Sequence, residues 1–130
     1  MTVPLDDTAR RLLDAKTFAT VATLNPDGSP QTSVVWVKRE GDVAVFTTTR
    51  QRKKGRNLMR DPRISITLVD PEDPYTHVEI RGRAELTDDP PNALGHELSH
   101  KYLGEDPPPD PDWAERVQVR VKPEHVVSVV

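Results

Sequence analysis

Apolar positions along this chain alternate between two periods, and the switches between them mark out the elements. Leu5, Ala9, Leu12 and Leu13 recur at i, i+4, i+7 and i+8, with Asp6 and Asp7 at the start. That spacing predicts a short amphipathic helix with an acidic first turn. From Phe18 to Leu24 the period drops to two, and Asn25-Pro26-Asp27-Gly28 then supplies a strong turn. Gln31 to Lys38 reads as a second strand. Glu40-Gly41-Asp42 turns the chain into a third, Val43 to Thr48. Lys53 to Arg60 is a short helix, stopped by Asp61-Pro62. Ile64 to Val69 is again strand-like and is broken by Pro71-Glu72-Asp73-Pro74. Tyr75 to Leu86 forms a long strand, and Gly82 inside it predicts a bulge or a tight bend. Pro91 to Leu103 is helical. Gly104 to Asp112 is a loop rich in Pro and Asp. Val117, Val119 and Val121 alternate in a further strand, and Val126 to Val130 extends the β-structure.

This order has hairpins and no βαβ repeat. It predicts one mostly β domain spanning residues 1–130 with short helices. With about six short antiparallel strands, closure into a small barrel removes the exposed edges.

Composition narrows the classes. Hydrophobic residues make up 35% of the chain and aromatic residues only 5%. So lean a core predicts a partner subunit that completes the burial. The chain has no cysteine, which excludes disulfides, a thiolate nucleophile and Cys-ligated metal. The first residues show no apolar signal core and no segment reaches membrane-spanning length, so the expectation is a cytoplasmic protein.

Charge is more specific. Arg50 to Arg63 holds seven basic residues and one acid, a net of +6. The whole chain is −3, so the remainder carries −9. Three hydroxyls, Thr47, Thr48 and Thr49, precede these cations at the end of a strand. The cations then open a helix. Backbone N–H groups and the helix dipole favour an anion there, and Lys and Arg add charge-assisted hydrogen bonds. The pattern points to a small phosphorylated ligand. A merely solvated basic face is the plain alternative. Nucleic acid fits less well, because the patch is short and no aromatic residue is interleaved for stacking.

His96-Glu97-Leu98-Ser99-His100 matches H-E-x-x-H on a predicted helix, which raises a zinc hydrolase as a distant alternative. Helical phase argues against it. Leu94, Leu98 and Tyr102 form the apolar stripe, and at about 100° per residue His96 and His100 lie on the opposite side. The expectation is therefore no catalytic metal. Nothing else suggests covalent catalysis, so any reaction belongs to a bound cofactor.

The chain resembles the pyridoxamine 5′-phosphate oxidase-like flavin and deazaflavin oxidoreductases. Phe18 to Leu24, Asp27 to Trp36, Phe46 to Thr49, Lys54 to Ile66 and Val78 to Leu86 carry the resemblance. The run Lys54-Gly-Arg-Asn-Leu-Met-Arg-Asp-Pro-Arg63, with Val35-Trp36 on the second strand, is most like the coenzyme F420-dependent branch. The resemblance implies a six-stranded antiparallel split β-barrel and a homodimer with cofactor grooves between subunits. It implies hydride transfer between F420 and a small unsaturated or quinone-like substrate. The cofactor phosphate would meet Arg52, Lys53 and Lys54, with Thr47 and Thr48 at the strand end. Gln31, Ser33 and Val35 would line the ring, and Tyr75 would lie near ring or substrate. FMN is the alternative cofactor, and a non-catalytic cofactor-binding protein is the alternative role. Ser33 stands where the flavin oxidases place an Arg for the phosphate, and their basic C-terminus is missing.

Overall fold

The structure, a computed structural model, describes residues 1–130. Its first helix is α1 (Asp7–Asp14), where the side chain of Asp6 caps by accepting from the Ala9 N–H at 2.8 Å. The strands are β1 (Ala19–Leu24), β2 (Pro30–Val35), β3 (Lys38–Glu40), β4 (Val43–Thr49), β5 (Arg63–Asp70), β6 (Asp73–Asp88) and β7 (Arg116–Val129). Helix α2 (Lys53–Arg60) follows β4, and α3 (Ala93–Leu103) precedes β7.

Two expectations need correction. Seven strands, not six, form one antiparallel sheet in the order β2-β1-β5-β6-β7-β4-β3, and its two edges are not hydrogen-bonded into a closed barrel. The extra strand arises because the run read as Gln31 to Lys38 divides at Trp36-Val37. β2 and β3 then lie at opposite edges of the sheet, yet only these two residues separate them. Two residues reach no more than about 10 Å, so the sheet must curl until its edges come close. The link is pinned rather than paired. The Val37 N–H donates to the Tyr102 hydroxyl at 3.1 Å, that hydroxyl donates to the Thr17 carbonyl at 2.6 Å, and Lys101 Nζ donates to the Val37 and Leu13 carbonyls at 2.7 Å.

The inward face of the curled sheet holds the main core. Val21, Phe46, Ile66, Leu68, Val78, Ile80, Val117 and Val119 are buried there together with Leu12 and Leu13 of α1. A smaller cluster joins Val45 on the other face of β4 to Leu94, Leu98 and Tyr102 of α3. Strand alternation thus gives β4 two packed faces. Phe46 and Thr48 face one way, Val45 and Thr47 the other. Gly82 lies at a register shift between β6 and β7, and a methyl group there would run into the Lys122 carbonyl. That is the bulge expected from its place in the long strand.

Most of the outer face of β2, β1, β5, β6 and β7 has no covering layer. Val34, Thr20, Thr67, Glu79 and Val127 form one row across five strands. Val69, His77 and Val129 form the next. Phe18 and Val34 are each 63% exposed on this side.

Helix α2 is seated very close to the sheet. Gly55 is buried, and a methyl group on it would collide with the Thr49 carbonyl. Asn57, also buried, donates from Nδ2 to Thr23 Oγ1 at 3.0 Å and to Asn25 Oδ1 at 3.1 Å. These contacts tie the helix to β1 and its turn. Gly55→Ala sets two effects against each other. Ala gains about 1 kcal/mol of helix propensity, whereas forced overpacking costs about 1–3 kcal/mol. Because the obstructing atom is backbone, the steric effect wins. Urea denaturation should show Gly55→Ala less stable than the parent, and a more stable variant would contradict this seating of α2.

Candidate functional site

The close approach of α2 to β4 brings its first cations beside the end of β4 and the start of β7. β4 pairs with β7 so that Thr47 opposes Gln118 and Thr49 opposes Arg116. A hollow of about 200 Å³ opens here between β4, the β2 edge and α3. Arg52, Lys54, Arg116 and Thr47 line its polar end; Val34, Val35, Trp36 and Leu98 line the apolar end, and Asn92, Gly95 and Pro107 complete the wall. Trp36 is stacked on Tyr102, with ring centroids 5.2 Å apart and planes 9° from parallel.

The charges are unequally satisfied. Arg116 is gripped by Asp110 through two hydrogen bonds of 2.9 and 2.8 Å, a fork that holds the Asp110 carboxyl below its usual range. Arg52 and Lys54 make no ion pair. Burial pushes the Lys54 ammonium below its ordinary pKa, and the positive charges of Arg52 and Arg116 push it the same way. A half-buried cation facing like charges is a destabilising arrangement that an anion would relieve. The Arg52 N–H is turned inward, donating to Thr49 Oγ1 at 3.2 Å, so the first turn of α2 is tied to the strand it leaves.

A wider groove of about 290 Å³ runs over the outer sheet face past Arg63, Arg81, Glu124 and His125. Its cations already have partners. Arg63 pairs with Asp61 at 2.8 Å, which holds the Asp61 carboxyl at about 2, and Arg81 pairs with Glu79 at 3.1 Å. Of the two, the smaller hollow is therefore the better anion site, because Arg52 and Lys54 there have no carboxylate partner.

Of the residues singled out in the sequence, the hollow gathers Val35, Thr47, Arg52 and Lys54. The others lie elsewhere in this chain. Gln31 and Ser33 share the face of β2 turned toward Thr23 and Val21, and Gln31 Oε1 accepts from Thr23 Oγ1 at 3.0 Å. Ser33 Oγ has no partner. Thr48 is buried on the Phe46 side of β4, its hydroxyl also without a partner. Lys53 is exposed on the far side of the first turn, where its charge acts on Asp27. Tyr75 is 83% exposed at the start of β6, on the uncovered sheet face. Sequence reasoning missed Arg116, Trp36, Asn92 and Leu98 as wall residues. Arg116 is far from Arg52 along the chain, and only the β4–β7 register brings the two together. The Val35-Trp36 pair was the one available signal.

The H-E-x-x-H helix turns as its phase predicts. Leu94, Leu98 and Tyr102 are buried; His96 and His100 are exposed. His100 Nε2 meets Asp106 Oδ1 at 2.6 Å, and Glu97 pairs with Lys38. No three His, Asp or Glu side chains converge as a metal-ligand group.

Residues 5–129 match the sequence pattern of the family described as pyridoxamine 5′-phosphate oxidase. Among solved structures, an F420 reductase is 34% identical, with a TM-score of 0.84 over 91% of this chain and 94% of that one. A conserved hypothetical protein, Rv2991 from Mycobacterium tuberculosis, is 26% identical over 98% of this chain and 86% of that one, with a TM-score of 0.77. A heme binding protein from Mycobacterium smegmatis is also 26% identical, with a TM-score of 0.71 over 95% of this chain and 52% of that one.

Proposed function

This chain belongs to the pyridoxamine 5′-phosphate oxidase family, and from that premise we propose that it binds coenzyme F420 in the hollow at Arg52 and Lys54 and acts as an oxidoreductase. The observation that carries the reading is the pair of cations without carboxylate partners at the mouth of α2. The 34% identity with an F420 reductase over nearly the whole chain supports the choice of deazaflavin. FMN presents a phosphate as well, and is the second reading because of the family's oxidase description. A haem ligand is less suited to this hollow, whose lining offers cations rather than the His, Cys, Met or Tyr that hold haem iron.

Bound F420 supplies hydride chemistry, and the chain's residues supply position and electrostatics. Arg52 and Lys54 would hold the phosphate, and Thr47 lies beside them with its hydroxyl donating to the Val117 carbonyl at 3.3 Å. Trp36, Val35 and Val34 would give the ring an apolar surface on one side. The substrate on this reading is a small unsaturated or quinone-like molecule. No side chain of the hollow is assigned a proton to donate.

The complete site needs a second copy. Pockets for ligands of this size run to about 300–1,000 Å³, and the hollow in one chain offers about 200 Å³. One chain alone would hold only part of such a ligand, with its polar lining suited to the phosphate and its apolar lining to the ring. Val34 belongs both to that apolar lining and to the uncovered outer face. A copy docked on this face would roof the ring, and Tyr75, exposed on the same side, is the residue positioned to contribute. The exposed Phe18, Val34, Val69, Val127 and Val129 of this face, set among threonines, favour such an interface. Sedimentation equilibrium at micromolar concentration should give twice the 14.6 kDa chain mass; a monomer that binds the cofactor fully would remove the argument for a shared site.

A hydrogen bond to a charged group contributes about 1.5–3 kcal/mol. Lys54→Ala should therefore weaken F420 binding roughly ten- to a hundredfold by calorimetric titration, with the fold intact. Arg60→Ala, at the far end of α2 where it reaches the Leu24 carbonyl, should have little effect. Equal and small losses in both variants would mean a diffuse basic face, and tight FMN binding with no F420 response would overturn the choice of cofactor.

A further inference from the structure

Asn92 is the one non-glycine residue of the chain with a positive φ (56°, ψ 43°), in the left-handed region. It stands at the N-cap of α3, yet its side chain makes no capping bond. An Asn at this position ordinarily accepts from the first turn of the helix. Here Asp89 caps the helix instead, its carboxylate accepting from the Ala93 N–H at 3.1 Å and the Leu94 N–H at 2.9 Å. The amide of Asn92 is thereby left free. It is only 6% exposed, and its Oδ1 has no hydrogen-bond partner. Gly95, one turn on, makes the space it occupies, since a methyl group there would overlap both amide atoms. Asn92 and Gly95 both line the hollow of Arg52 and Lys54, and Asn92 also forms the wall toward a second recess beneath the proline run.

A strained backbone, a cap supplied by another residue, a glycine cradle and an orphaned buried amide coincide at one residue. Burying an unpartnered amide is costly, and local strain of this kind collects at ligand sites. We propose that Asn92 is a ligand-binding residue, and that its carboxamide takes the hydroxylated chain linking phosphate to ring. A carboxamide both accepts and donates, which suits a hydroxyl that does the same. Cations alone would hold any phosphate; Asn92 would make the hollow selective for a phosphate borne on a polyol. The assignment rests on the cofactor reading above.

The test is calorimetric titration of the parent chain, Asn92→Gly and Gly95→Ala with F420, FMN and inorganic phosphate. Glycine tolerates the positive φ, so Asn92→Gly should melt no lower than the parent. It should bind F420 about tenfold more weakly, as loss of one hydrogen bond implies, while inorganic phosphate binds as before. Gly95→Ala should reproduce the loss by displacing the amide. Unchanged F420 affinity in a folded Asn92→Gly overturns the role of Asn92 and leaves the cofactor reading standing. Equal losses for F420 and phosphate overturn it too, because the residue would then only shape the cation site. A parent chain that binds neither F420 nor FMN overturns the cofactor reading and this assignment with it.

Discussion

Everything distinctive about this site depends on how near α2 comes to the end of β4. The approach is close enough that position 55 has no room for a side chain beyond hydrogen. It places the first turn of α2 against Thr49, beside a cation that arrives on β7. Positive charge is thus concentrated at a half-buried hollow, although folding alone would favour dispersing it. Buried anchors on the same helix, Asn57 and Leu58, oppose that repulsion. The protein keeps an electrostatically unfavourable hollow in the free state, and relief of that repulsion is available to an anionic ligand.

A second constraint sets the apolar end. β2 and β3 are almost consecutive in sequence yet occupy opposite edges of the sheet, so the sheet curls and the link must be held. Tyr102 and Lys101 hold it with their polar ends, and the ring of Tyr102 supports Trp36 at the hollow. Helix α3 therefore acts as a clamp for the curl and as a wall of the site. Its histidines, which in sequence suggested a metal, are exposed, His96 against the Asn92 carbonyl and His100 against Asp106.

Local periodicity made most elements legible, because each is built on near neighbours. The first helix and the buried stripe of α3 follow from apolar spacing, α2 from its Asp61-Pro62 stop and the bulge from Gly82 within a strand. The break at Trp36-Val37 was hidden, because an alternating run of β-formers reads as one strand whichever edge each half joins. The basic run and Thr47 pointed to residues that line the polar end of the candidate hollow, since strand end and helix start are contiguous there. Arg116 and Asn92 were not legible. One reaches the hollow only through the β4–β7 register, and the other through a backbone conformation that depends on Asp89 and Gly95. The opposite faces of Thr47 and Thr48 were predictable in principle from alternation, but which face held the hollow required α3.

The central claim is that Lys54, depressed in the free protein, meets the phosphate of the cofactor. The free protein holds Lys54 below the ordinary 10.5, so above that lowered value part of the population is neutral. An anion at Lys54 favours the charged form and raises the pKa, so binding there must take up protons. The direct measurement is calorimetric titration with F420 at a series of pH values rising toward the ordinary lysine value of 10.5, in buffers of different ionisation heat. The account predicts net proton uptake on binding that disappears in Lys54→Met; binding of F420 with no difference in proton uptake between the parent and Lys54→Met would contradict it.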